Sequence, residues 1–158
     1  MYILKSGIKR DKKKRWELPD RIFFGYGACH ILAGTYLVQN PIKDFYAERI
    51  IPKKEQPGNH IYVTDGQIAF DYHGYSVRGH LLEYHHKNCS KQYDPWDYEL
   101  EKVAFDLLNT VELNQRKMLG PDQYLFDPVV RAVNYLNKIN HAQAYAKAIK
   151  RCSPDPNS

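Results

Sequence analysis

A chain of 158 residues that is 43% hydrophobic and 13% aromatic has the size and apolar content of one folded domain, which excludes wholesale disorder. Its net charge of +5 comes from 23 Lys+Arg against 18 Asp+Glu, yet residues 9–15 alone hold six bases and one acid. The rest of the chain is therefore charge-balanced, and a nucleic-acid role rests on one short basic run.

In chain order, residues 1–15 read as a basic, mobile arm, 16–152 as a single α+β domain and 153–158 as a disordered tail. Gly25-Tyr26-Gly27 is a breaker, and the stretch from Ala28 to Val38 that follows is apolar on nearly every face, the pattern of a buried helix. Asn40-Pro41 ends it. Residues 44–52 read as a strand interrupted by Arg49, and 53–59 as a polar loop with a Pro57-Gly58 turn. His60–Tyr72 is a hairpin: two β-rich runs flank Asp65-Gly66, the strongest short-range turn signal. Residues 77–93 read as a helix, 98–105 as a strand and 109–119 as a helix. Asp127-Pro128 supplies an N-cap and first-turn proline for a long helix running towards Arg151. Helix, strands, helix, strand, helices is an α+β order rather than a doubly wound one.

Counting outward from a two-residue Asp65-Gly66 loop pairs Val63 with Ile68, Ile61 with Phe70 and His60 with Asp71. Ile61, Val63, Ile68 and Phe70 then share an apolar face, and His60, Tyr62 and Asp71 share the other. Opposed Cβ atoms lie about 4.5–5.5 Å apart, close enough for a His–carboxylate hydrogen bond. A histidine so held is the orienting half of a nucleophilic triad. Cys29 is the candidate nucleophile, because a thiol at a helix N-terminus is drawn towards thiolate by the helix dipole. Its own free backbone N–H is a candidate oxyanion donor.

These residues carry a resemblance. Gly27-Ala28-Cys29-His30-Ile31-Leu32-Ala33 resembles the G-x-C-x-x-x-A segment of transglutaminase-like proteins, a branch of the papain-like thiol fold. Phe45–Ile51 looks like the strand that follows it in that family, His60-Ile61-Tyr62-Val63 like its H-x-W-V segment and Phe70-Asp71 like its terminal V-D. The resemblance covers roughly residues 25–75. It implies a papain-like core with a buried helix on a small antiparallel sheet and additional C-terminal helices, with Cys29 as nucleophile, His60 as base and Asp71 as orienting acid. The implied activity is amide hydrolysis or acyl transfer on a peptide or small amide, with no cofactor.

Other readings stand beside it. Cys29 read alone is a small buried hydrophobe, Asp71 a cap for the turn at His73-Gly74, and His73 the second candidate base. His80, His85, His86 and Cys89 place potential metal ligands at i, i+3 and i, i+4, without the partners that complete a zinc site. Tyr93, Trp96 and Tyr98 around Pro95 read as packing or as a cleft wall. A silent papain-like fold acting as a binding module, and a nucleic-acid-associated protein using the basic arm, are the rival functions. No apolar stretch approaches the roughly 18–20 residues that cross a bilayer, so no membrane partner is expected. Met1–Leu18 carries charges where a secretory signal needs an apolar run. With Cys29, Cys89 and Cys152 widely scattered, no disulfide and a reducing cytoplasm are the expectations.

Overall fold

The run from Cys29 to Gln39 offers water no polar face, and a helix of that kind needs cover on every side. The structure, a computed structural model, describes Gly7, Ile8 and residues 10–153. It is a mixed α+β domain with a five-stranded antiparallel sheet and, among the described residues, seven α-helices. In order these are α1 (Lys12–Trp16), α2 (Asp20–Tyr26), α3 (Cys29–Gln39), β1 (Tyr46–Pro52), β2 (His60–Thr64), β3 (Ile68–Asp71), β4 (Gly74–Val77), α4 (Arg78–Ser90), β5 (Tyr98–Lys102), α5 (Thr110–Asn114), α6 (Pro128–Asn137) and α7 (His141–Cys152). The strands lie in the order β4-β3-β2-β1-β5.

Helix α3 lies against the centre of the sheet and is covered by α2 and α6, so Ile31, Leu32, Ala33 and Tyr36 are all buried. Its core joins Ala47, Ile61, Val63 and Phe70 from the strands. The alternate residues Ile50, Tyr62 and Ala69 enter a second cluster with Leu81, Cys89 and Trp96 on the opposite face. Both faces of β2 are therefore covered, and all five of its residues are buried.

The hairpin forms, but not in the expected register. Val63 pairs with Phe70 and Thr64 with Ala69, a slip of two residues from a two-residue turn. Local polar groups favour the wider loop. The Asp65 carboxylate accepts from the Gln67 and Ile68 amides at 2.9 and 2.8 Å, and Thr64 Oγ1 donates to the Ile68 carbonyl at 2.6 Å. Gly66 sits at φ +99°, a conformation other residues rarely adopt. A two-residue slip preserves which side chains share a face; a one-residue slip would have exchanged them.

Other boundaries differ from the sequence expectation. Helix α2 and strand β4 were not anticipated. The helix expected over 109–119 closes after Asn114, and Lys117 adopts φ +61°. The long C-terminal helix is two helices, because Asn140 caps the second by accepting from the Gln143 amide at 3.2 Å. Asp127 does cap α6, with Pro128 in its first turn. Within the basic run, Asp11 caps α1, which buries none of its residues. The expectations for residues 1–6, for Lys9 and for 154–158 lie outside the described residues. Cys29, Cys89 and Cys152 are all free thiols. Among the described residues no helix is long and apolar enough to cross a membrane.

Candidate thiol site

Helix α2 ends at Gly27, and Ala28 turns the chain into α3 without offering a side-chain cap. The first N–H groups of α3 therefore lack a side-chain acceptor at the point where Cys29 stands. Gly25 permits the approach from the other side: a Cβ there would lie 3.2 Å from the ring of Tyr72. His60 is the first residue of β2 and Asp71 the last of β3, so the strands bring both to the same end of the sheet.

The structure brings the three expected residues together. His60 Nε2 donates to Asp71 Oδ2 at 2.8 Å, with both residues 4% exposed. That bond leaves Nδ1 as the free ring nitrogen, and His60 and the Cys29 thiol line the same cavity, each as a neighbour that favours the other's charged form. His30, the next residue of α3, is a second neighbour of the thiol, and its Nε2 donates to the Leu119 carbonyl at 2.7 Å. Burial pushes the Cys29 thiol up, but the hydrogen bonds and charges of His30 and His60 outweigh it and bring the pKa down to about 5. Burial likewise opposes the His60 cation, yet Asp71 and the thiolate raise it to about 10. Asp71, buried but bonded to His60 and His73, is held below the usual carboxylate range. Both directions favour a thiolate–imidazolium pair near neutral pH.

Asp71 makes contacts on both sides expected of it, to His60 and to the turn that follows. Its Oδ1 accepts from the His73 amide at 2.8 Å and lies 3.5 Å from His73 Nδ1, while Oδ2 serves His60. His73 is thus the neighbour that shares the carboxylate, and its ring packs on that of Tyr72, centroids 4.0 Å apart and tilted by 35°.

Three site residues were not assigned this place by the sequence reading. His30 was noted only as a motif position. His85, considered there as a metal ligand, stacks on His60 at 5.5 Å and 13°, and its Nε2 donates to the Gly58 carbonyl at 2.7 Å. Burial and the His60 charge push it down to about 4, so His85 stays neutral beside an imidazolium. Arg49, which appeared only as a break in the strand pattern, joins the lining of the cavity above the thiol. No local signal marks these roles, because each depends on packing between distant elements. The remaining candidates lie elsewhere. His86 packs on Trp96 and Tyr98, and Cys89 and Trp96 are core. Cys152 is half-buried in the last turn of α7. Among the described residues no three His, Cys, Asp or Glu side chains gather as metal ligands do.

The thiol opens into a cavity of about 700 Å³ whose lining includes Cys29, His60, His85, Tyr72, Tyr93 and Asn88. Comparison of the chain with family models, with curated proteins and with solved structures finds no match.

Proposed function

We propose that this chain is a papain-like, transglutaminase-like thiol enzyme that cleaves or transfers an acyl group from a peptide or small amide. One observation carries the reading: a thiol at the start of a buried helix shares its cavity with a histidine that is itself fixed by a buried carboxylate. The Cys29 thiolate attacks the substrate carbonyl, forming the S–C bond and a tetrahedral oxyanion. The Cys29 backbone N–H, uncapped at the helix start, is placed to donate to that oxygen. Collapse breaks the C–N bond as His60 gives its proton to the leaving amine, leaving a thioester. Water or a second amine then attacks, His60 takes its proton, and the acid or new amide departs with the thiolate restored. Asp71 holds the ring tautomer throughout. No step calls for a cofactor.

Alkylation by iodoacetamide at pH 6 tests the pair directly. A thiol of pKa about 5 is mostly thiolate there, whereas an ordinary thiol is ionised to well under 1%. The lower intrinsic nucleophilicity of the weaker base offsets part of that gain, leaving an expected advantage of about tenfold over Cys152. His60→Ala lowers the preference, His30 retaining part of it, and leaves Cys152 unchanged. A Cys29 that reacts no faster than Cys152, or only on unfolding, refutes the enzyme reading and leaves a binding module.

A further inference from the structure

The cavity above Cys29 has a charge pattern that the thiol chemistry does not require. Arg15, Arg49, Arg116 and Lys117 line it, and no Asp or Glu does. Arg116 is matched by Glu112 at 2.9 Å and lies over the Phe105 ring. Among the described residues Arg15, Arg49 and Lys117 make no ion pair. Arg15 reaches the rim beside the nucleophile, its Cδ 3.9 Å from where a Cβ on Gly27 would stand.

Arg49 is the most telling of these. Its place in β1 sets it opposite Ile61 on one side and Glu101 of β5 on the other. Glu101 points into solvent and forms no ion pair with it. One guanidinium NH2 donates to Asn59 Oδ1 at a long 3.3 Å. Its Nε is buried and makes no hydrogen bond, alone in this among the buried side-chain nitrogens and oxygens of the described residues. A buried N–H without an acceptor is costly, so Arg49 lines the cavity with its charge uncompensated, and the planar guanidinium is the group that matches the two oxygens of a carboxylate. The Cys29 thiolate, His60 imidazolium and Asp71 carboxylate together carry one negative charge, which Arg15, Arg49 and Lys117 exceed, so the cavity is cationic before any substrate enters.

We propose that the acyl donor carries a carboxylate near its reacting carbonyl, which Arg49 receives while Lys117 and Arg15 supply the surrounding positive field. This rests on the thiol-enzyme reading and names the substrate class of the same site.

Two alkylating reagents of nearly equal size test it: iodoacetate, which carries a carboxylate, and neutral iodoacetamide. Each forms an S–C bond to Cys29 and expels iodide. The readout is the ratio of the two second-order rates at Cys29 in the full chain, referred to the same ratio for glutathione. At low salt the ratio exceeds that of glutathione by about tenfold or more, as charge steering into a cleft allows. It falls severalfold in about 0.5 M NaCl, where the screening length is a few ångströms, and again in Arg49→Gln. Lys117→Gln alters an exposed side chain, so it keeps the test decisive if Arg49→Gln fails to fold; it lowers the ratio as well. A fast reaction with iodoacetamide whose ratio equals that of glutathione, or is unmoved by salt and both substitutions, overturns the carboxylate proposal and leaves the thiol reading intact. A Cys29 no faster than Cys152 towards the neutral reagent removes both.

Discussion

Three side chains at the thiol site carry opposing pH dependences. Cys29 falls from 9.0 to about 5 on folding, so the stability it contributes is complete above pH 9 and lost as pH falls towards 5. His60 rises from 6.5 to about 10, so its contribution is complete below pH 6.5 and lost as pH climbs towards 10. His85 falls from 6.5 to about 4, which adds a second loss on the acid side between those values. The sum is a plateau between about pH 6.5 and 9, with a steeper decline on the acid side than on the alkaline one. Thermal midpoints measured from pH 4.5 to 10.5 should trace that shape, the chosen range spanning the ordinary His and Cys values. Cys29→Ser should flatten the acid limb without removing it, because His85 remains. A midpoint that stays level through pH 10 would mean that His60 is not held as a cation. Asp71→Asn keeps a hydrogen-bonding shape but withdraws the charge. The expected result is a fall in the pH-6 alkylation rate of Cys29 by about tenfold or more, since an unpaired buried imidazole favours its neutral form.

Helix α3 and the hairpin show how much of this site could be read from sequence and where such reading ends. The apolar run from Ala28 to Val38 marked the helix to within one residue at each end, because burial on most faces leaves a compositional trace. The hairpin's faces were legible from alternation, since a register error of two residues leaves alternation untouched. The register itself was not, because it follows from the Asp65 and Thr64 side chains binding loop amides and a carbonyl. Strand β4 has only half-buried residues and α2 is short, so neither carries a strong periodic signal. His85 and Arg49 reach the site through α4 and β1, and a linear pattern does not encode that meeting. The close fit of α3 also makes a prediction. Gly34 lies mid-helix, where alanine ordinarily adds up to about 1 kcal/mol of stability. A Cβ there would stand 3.0 Å from Leu107 Cβ and from Leu108 Cγ and Cδ2. Leu107 Cβ is anchored to backbone and cannot swing away, so overpacking of about 1–3 kcal/mol should outweigh the propensity gain. Gly34→Ala is therefore expected to lower the urea midpoint; a raised midpoint would show that the 107–108 loop yields freely.

At the scale of the whole molecule, one side chain makes the polar clamp between the segment leading to the thiol and α6. Arg131 of α6 donates from Nε to Asp20 Oδ1 at 2.8 Å, from one terminal nitrogen to the Trp16 carbonyl at 2.7 Å and from the other to the Leu18 carbonyl at 2.6 Å. Its guanidinium also lies over the Phe23 ring, 4.1 Å from the centroid. All three nitrogens are used, each on a different residue, and together they fix the entry into α2. From α2 the chain passes through Gly27 and Ala28 to Cys29, so the clamp sets the frame on which the nucleophile is mounted. The Tyr124 hydroxyl adds a second tie by donating to the Gly27 carbonyl at 2.6 Å. Arg131→Met keeps much of the apolar stem but strands two carbonyls and a carboxylate. Their loss should cost about 2–3 kcal/mol, read as a lower urea midpoint at unchanged slope. Arg131→Lys separates charge from geometry. An ammonium on a flexible stem can meet Asp20, but it cannot hold three divergent oxygens in one plane. It should therefore recover less than half of the loss; full recovery by lysine would show that the Asp20 ion pair alone holds the two ends of the chain together.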